Sequence, residues 1–461
     1  MSVADEALGA GPRVKGGTFF GEPRALAYLA FTEAWERFSF YGMTALLVLY
    51  MTEALFTPGR IGHIADFATF RAGLESIFGP MSTVALASQV YGLYTGFVYF
   101  TPIFGGLIAD RLIGRRNAVM LGAILMSAGH IAMAFDVSFL LALLLLIVGC
   151  GFLKGNISTQ VGTLYAENDG AGRTRGFSIF SVGINVGAVA GPLACGLLAQ
   201  VYGWHMGFGL AGVLMLIGLA TYTLGYRHLQ ETVAKHATVV ADAPLTRRDY
   251  VVVGAIFVTV ALTIFHSIAY YQNSNICLIW IQKYVNLGFL GFTVPVSWFN
   301  SIDSFVSIIS VPALFALWRW QASRGSEPTE IGKMGQGAWM AAAANLLLAI
   351  CCVLFKHVSA LAPIVYDVIL GVAFLYYWPT LLALVSRAAP QKLKATLMGG
   401  VFLSLFVSNL TMGWLGGFYE HMGPAAFWAM NAAIAATGGI LIYLLRPWLE
   451  RLLNRPQGEM R

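Results

Sequence analysis

The sequence predicts an all-α polytopic membrane protein with twelve spanning helices in two six-helix bundles. Three observations carry that prediction. The 461 residues are 58% apolar and 11% charged, against about 25% charged in a soluble domain, so the chain lacks the polar groups to clothe a water-exposed surface of its size. Apolar runs of about 20 residues, the length that crosses a bilayer, recur along the chain. The cations cluster on alternate connections between those runs, as happens when Lys and Arg are retained on the cytoplasmic side. A soluble enzyme of ordinary composition and a disordered chain are excluded. So is nucleic acid as a partner, because 28 Lys+Arg against 22 Asp+Glu leave a net charge of only +6.

Residues 1–25 contain no long apolar core and no small-residue cleavage site, and so read as a cytoplasmic tail rather than a secretory signal. With Gly, Ala, Ser and Thr accepted as helix-packing residues, the spans of the first half lie at 26–51, 83–110, 117–136, 138–164, 175–200 and 205–226, a bundle over 26–227. The longest polar interruption of the helical body, 228–248, reads as a cytoplasmic linker. The second bundle, 249–446, has spans at 249–280, 292–318, 334–355, 361–386, 395–419 and 424–446, before a cytoplasmic tail at 447–461. With both ends inside the cell, 22 of the 28 cations are cytoplasmic and four (Arg60, Arg71, Lys283, Lys356) are outside, while Arg37 and Lys154 fall within spans. An odd number of helices scrambles this asymmetry. Six helices plus six, joined by a linker, let one bundle rock on the other and expose a central site to each side in turn; the bland alternative is a scaffold that moves nothing. The five cysteines lie inside apolar runs without metal-type spacing and read as small core residues. Neither a metal nor a cofactor is expected.

Ionisable groups inside spans cost about 2.5–3.5 kcal/mol each on insertion scales, so they mark pathways, relays or paired contacts. The first helix carries Glu33, Glu36 and Arg37, which spacings of three and four put on one face, with Glu33 four residues ahead of Arg37 in the order favourable for an ion pair. Such a group is poised between burial, which favours the neutral acid, and a cation, which favours the carboxylate. Lys154 sits mid-span in the fourth helix and needs an anion, for which Glu33 or Glu36 is the nearest candidate; the alternative is a static cluster that only glues helices one and four together. Asp303 in the eighth helix has no cation in its own or neighbouring spans, and is either substrate-facing or protonated. Asp367, two turns into the tenth helix, is either vestibular or simply solvated. His130 and His266 read as core histidines. Tyr41, Tyr91, Tyr94, Tyr99, Asn156, Ser158 and Asn185 carry polar tips that lipid does not satisfy, so they either bond between helices or line a polar cavity.

Local strings then resemble a known family. Gly106-Leu-Ile-Ala-Asp110-Arg111-Leu-Ile-Gly114-Arg115-Arg116 resembles the signature loop of the major facilitator superfamily, which implies that fold and a latch of Asp110, Arg111, Arg115 and Arg116 across neighbouring helix ends. Glu33-Ala-Trp-Glu36-Arg37-Phe38-Ser-Phe-Tyr41-Gly42-Met43 resembles the E-x-x-E-R-F-x-x-Y-G motif of the proton-dependent oligopeptide transporter family. The likeness continues through Tyr91 to Gly106, the Lys154 segment, Phe177 to Gly196, Val294 to Arg324, Ser386 to Pro390 and Met398 to Asn409. It implies uptake of short peptides driven by a proton gradient, with Glu33, Glu36, Arg37 and Lys154 as the coupling network. The expected substrate-facing residues are Tyr41, Thr44, Tyr91, Tyr94, Asn156, Asn185, Tyr270, Gln272, Ser274, Asp303, Phe374, Trp378 and Asn409.

The departures concern recognition. The family places an arginine for the peptide carboxylate where this chain has Thr44, a proton-carrying acid where it has Tyr270, and a glutamate for the peptide amine where it has Phe374. The family's usual asparagine in helix eight is Asp303 here, a residue suited to an amine-bearing ligand, whereas Tyr270, Phe374, Tyr376, Tyr377 and Trp378 suit a bulkier, apolar one. The linker is also too short for the two extra helices that many bacterial members insert. The expectation is a multi-pass inner-membrane symporter, functional as a monomer, with a small peptide or peptide-like amide, protons and the lipid bilayer as its partners. The alternatives are a specialised carrier, for uptake or export, of a modified peptide or siderophore-like product, and a non-transporting receptor. For an enzyme there is no nucleophile with a neighbouring base.

Overall fold

A backbone in lipid must satisfy its own hydrogen bonds, which leaves helices as the economical solution for runs of this kind. The computed structural model describes residues 18–19, 21–166, 169–229 and 245–454. Most of the tail expected at 1–25, most of the linker expected at 228–248 and the end of the tail expected at 447–461 therefore lie outside the described residues. The helices are α1 (Arg24–Tyr50), α2 (Phe67–Phe78), α3 (Thr83–Ile108), α4 (Arg115–Ala132), α5 (Phe139–Thr163), α6 (Gly170–Tyr202), α7 (Trp204–Gly225), α8 (Arg247–Tyr271), α9 (Ile276–Tyr284), α10 (Asn300–Ser323), α11 (Glu330–Leu354), α12 (Leu361–Ala388), α13 (Lys394–Gly416), α14 (Tyr419–Met422) and α15 (Pro424–Asn454). Two-residue strands pair β1 (Thr18–Phe19) with β2 (Glu22–Pro23), β3 (Val285–Asn286) with β6 (Val358–Ser359), and β4 (Gly288–Phe289) with β5 (Phe292–Thr293).

Among the described residues, eleven helices are long and apolar enough to cross a membrane. The twelfth expected span, α4, has 18 residues and opens on Arg115 and Arg116. It nevertheless packs on α5 backbone to backbone, since a Cβ on Gly122 would lie 2.7 Å from the Gly149 carbonyl. Helices α1 to α7 pack as one group and α8 to α15 as a second, and the two meet along α3–α13 and α6–α10. Close approach at the first group's centre depends on a glycine stripe. A Cβ on Gly187 of α6 would sit 2.6 Å from Phe38 N, and one on Gly191 would sit 2.5 Å from Phe38 O; small residues of this kind let membrane helices exchange dispersion contacts along their backbones.

Four expectations are corrected. The span expected at 249–280 is broken: α8 stops at Tyr271, Gln272–Ser274 form a tight turn, and Asn275 leaves helical geometry (φ −120°, ψ −104°) before α9 begins. Consecutive polar side chains there find partners outside their own helix. The eighth span starts at 300 rather than 292, because the β4–β5 hairpin occupies 288–293. The last helix runs to 454 rather than 446, held by an Arg446–Glu450 pair at 2.6 Å one turn apart. Helix α2 was not expected, since its twelve residues fall short of a crossing. The end that carries the β4–β5 hairpin is called the hairpin end below, and the opposite end, with the α7–α8 connection, the linker end.

Candidate functional site

Three ionisable side chains gather on α1, the helix whose backbone at Phe38 meets the α6 glycine stripe. Arg37 Nε lies 3.0 Å from Glu33 Oε1 and also pairs with Glu36. All three are buried, at 3%, 0% and 3% exposure for Glu33, Glu36 and Arg37. A guanidinium delocalises its charge over a planar fork, so one cation can serve two carboxylates. This unit brings two negative charges and one positive into low dielectric, where removing any member leaves an uncompensated ion.

Lys154 does not form the ion pair with Glu33 or Glu36 expected from the sequence. Among the described residues no carboxylate comes within ion-pair distance of it. Its Nζ lies 4.3 Å from the Tyr99 ring centroid and 5.7 Å from that of Phe40, as cation–π neighbours. The reason is local: Arg37 stands on the same helix as both acids and reaches them within one turn, whereas Lys154 must approach from α5.

The second group places its counterpart at the α8–α9 break. Tyr270 Oη donates to Asp303 Oδ2 at 2.7 Å, Ser304 Oγ donates to Asp303 Oδ1 at 3.3 Å, and Asn273 Nδ2 lies 3.4 Å from Oδ2. Phe374 of α12 stacks on Tyr270, with centroids 5.9 Å apart. Tyr271 reaches across to Tyr99 of the first group at 6.4 Å and packs edge-on against Tyr270 at 5.2 Å. An unbroken line of rings thus joins Lys154 to Phe374. His266 and His130 are buried at 1% exposure, as expected of core histidines, and His266 lies against Tyr270 and Tyr377. Asp367 is 2% exposed, which removes its reading as a solvated residue.

Several residues expected to face a substrate spend their polar groups inside the protein instead. Thr44 donates to the Phe40 carbonyl at 2.9 Å, Asn156 to Phe152 O at 2.9 Å and Gly105 O at 3.3 Å, Gln272 to Met412 O at 3.2 Å, and Asn409 to Leu405 O at 2.8 Å. Tyr91 and Tyr94 are buried in the core, and Ser274 donates to the Asn273 side chain at 2.8 Å. For Thr44, Asn156, Gln272, Ser274 and Asn409 a nearby carbonyl or amide oxygen takes up the donor. Tyr41, Asn185, Phe374 and Trp378 are half-buried. Trp378 packs between Tyr377 and Phe402, and Asn185 borders a cavity described below.

The latch forms in part. Arg115 Nε donates to Asp110 Oδ1 at 2.9 Å, Arg116 lies over the Tyr226 ring at 4.1 Å and so ties α4 to the end of α7, and Arg111 is exposed. Two charged clusters escaped the sequence reading, because their members are far apart in the chain. Glu22 receives Arg175 Nε at 2.8 Å and Tyr165 Oη at 2.9 Å; burial and this carboxylate push the Tyr165 phenol up. At the hairpin end, Asp136 receives Tyr50 Oη at 2.6 Å and Arg60 Nη2 at 2.6 Å, a bond that raises Arg60 above its ordinary value.

The hydrogen bonds described between the two groups gather toward the hairpin end. Asn275 donates to Ser88 Oγ at 2.7 Å, and Ser88 donates to Gly413 O at 2.9 Å. Ser301 donates to Val189 O at 2.8 Å, Trp298 to Leu193 O at 2.9 Å, and Gln200 to Thr293 O at 2.7 Å. Toward the linker end, α6 instead borders a cavity of about 570 Å³, open to solvent, with Arg173, Ser178, Ser181 and Asn185 on its wall. The polar quartet Gln272-Asn273-Ser274-Asn275, set inside an apolar run, was the available signal for the break and for this seam.

Comparison with known proteins follows the same lines. A family model described as the POT family matches residues 116–244 and 246–427. The chain is 28% identical to the peptide transporter YePEPT of Yersinia enterocolitica, over 96% of this chain and 98% of that one. It is 39% identical to a di-/tripeptide transporter of Lactococcus lactis, over 61% of this chain and 53% of that one. It superposes with a TM-score of 0.83 at 27% identity on a mutant of the peptide transporter POT in complex with alafosfalin, covering 96% and 98% of the two chains. A POT family transporter in complex with 5-aminolevulinic acid, at 23% identity and a TM-score of 0.80, shares the fold.

Proposed function

The chain belongs to the POT family, a family of membrane-spanning peptide transporters, and on that premise we propose that it is a proton-coupled symporter of short peptides or peptide-like amides, working by alternating access. The observation that carries the reading is the buried Glu33–Arg37–Glu36 unit, set one helix away from a lysine that has no carboxylate of its own. Protonating either acid removes one negative charge and loosens its hold on Arg37, which leaves Arg37 and Lys154 as excess positive charge within the first helix group. A substrate carboxylate answers that charge, so proton and substrate favour each other's binding, as reciprocal linkage requires. This revises the simplest sequence-based scheme: the proton acts through Arg37, and Lys154 is the standing cation.

The bonded seam at the hairpin end and the open cavity beside α6 support a state closed on one side and accessible from the other. The cation asymmetry supports assigning the linker end and both termini to the cytoplasm of an inner-membrane protein. A monomer then suffices, with the proton gradient as the only energy source and no bound cofactor. Purified protein in liposomes, given an inside-alkaline gradient, is expected to accumulate labelled short peptides or amides, and collapse of the gradient is expected to abolish accumulation while leaving exchange. Uptake indifferent to the gradient removes proton coupling from the scheme.

A further inference from the structure

The charges of the site are unequally free. Of its cations, Arg37 is engaged by two carboxylates, whereas Lys154 has only aromatic faces for neighbours. Of its acids, Glu33 and Glu36 are held by Arg37, and Asp303 is capped by the Tyr270 hydroxyl and by Ser304. Asp367 of α12 is buried at 2% exposure. The line of rings that leaves Lys154 through Tyr99, Tyr271 and Tyr270 ends on Phe374, an apolar surface. A free ammonium group on a ligand finds there Asp303, whose acceptor sites are already occupied by Tyr270, Asn273 and Ser304, and it would lose hydration against a phenyl ring, a cost of several kcal/mol unless paired. An acyl group meets the same ring favourably.

We propose that this site selects peptide-like amides that keep a free carboxylate and lack a charged amine, N-acylated short peptides being the nearest chemistry, with the carboxylate on Lys154 and the acyl group on Phe374. This selectivity rests on the transport reading above and specifies its cargo.

The test uses the full chain, purified in detergent, with thermal stabilisation read against dialanine, N-acetyl-dialanine and N-acetyl-dialanine amide, because a ligand of the folded state raises its apparent stability. N-acetyl-dialanine is expected to act at a concentration at least about tenfold lower than either of the others. Lys154→Gln is expected to erase the advantage of the acid over its amide. Phe374→Glu is expected to shift preference toward dialanine; because a new buried carboxylate can unfold the bundle, the wild-type ranking and Lys154→Gln decide the matter without it. Dialanine acting as strongly as its acetylated form overturns the inference and leaves peptide transport standing. Silence toward all three, with gradient-driven uptake of other peptides intact, also overturns it alone, and silence with no uptake of any peptide overturns both readings.

Discussion

The two helix groups handle polarity at the membrane centre in opposite ways. In the first group, α1 concentrates formal charge: two buried carboxylates share one guanidinium within about one helical turn, on a helix that packs closely on the α6 glycine stripe. In the second, the α8–α9 break concentrates neutral hydrogen bonding and aromatic surface: Asp303 is capped by hydroxyl groups and the neighbouring wall is Tyr270, Tyr271 and Phe374. A charge compensated within its own helix survives rearrangement of the bundles, because its partner moves with it. A carboxyl bonded across helices is tied to the geometry of one conformation. The difference suggests a division of labour, with a portable charge store on one side and a shape-sensitive reader on the other.

The comparison breaks most severely at Arg37. Arg37→Ala leaves two buried carboxylates with no cation in their turn, and breaking a buried pair by removing one partner costs about 3–5 kcal/mol; thermal melts are expected to show severe destabilisation, and a wild-type melting point would mean the charges are not held as a unit. Lys154→Ala removes a cation with no carboxylate partner, so folding should survive while gradient-driven uptake falls about 100-fold, equivalent to about 2.7 kcal/mol. The contrast between these two variants, one failing in stability and the other in coupling, is the sharpest check on the division.

On the second side, Tyr270→Phe deletes one hydrogen bond to Asp303. The expected loss is about 1.5–3 kcal/mol if Asp303 is ionised and about 1 kcal/mol if it is neutral, and a double-mutant cycle with Asp303→Asn measures the coupling. Additive effects would mean that the pair does not act together. The smallest effect lies outside the spans. Glu75 accepts hydrogen bonds from Arg71 (2.9 Å) and from the Met81 amide (3.2 Å), and the Arg71 bond followed by the amide bond holds its carboxyl below the usual range. A depressed acid contributes its stability above its unfolded value and loses it as pH falls through the folded value. The Met81 amide should therefore exchange faster only below about pH 4, and protection unchanged on acidification would show the corner to be held by packing alone.

Much of this was legible in the sequence because it depends on short range. The apolar length of each span and the 33–36–37 spacing on one face are set by residues contiguous in the chain or within about a turn of one another. Span ends were less legible where a hairpin or a capped extension, rather than hydropathy, decides the boundary, as at Asn300 and Asn454. The candidate site divides the same way: the Glu33–Arg37 pair was readable, whereas the partners of Lys154, Asp303 and Glu22 were not. Nothing near Lys154 in the chain announces Tyr99, and nothing near Tyr270 announces Asp303. Thr44, Asn156, Gln272 and Asn409 looked available because a sequence does not say which polar side chains turn back on their own helix, as Thr44 and Asn409 do, or bond to a neighbouring one, as Gln272 does.

By itself the sequence determined that this chain lives in a bilayer, that it crosses as a series of apolar helices, and which of them carries an ion pair, since burial cost and helical periodicity act on contiguous residues. Only the tertiary structure decided which cation stays free, which acid is capped, and where a helix breaks to let its amides bond elsewhere. The physical reason is that charge and hydrogen-bond satisfaction are settled by whichever partner lies nearest in space, and packing along the Gly187 and Gly413 seams brings together residues that the chain keeps far apart.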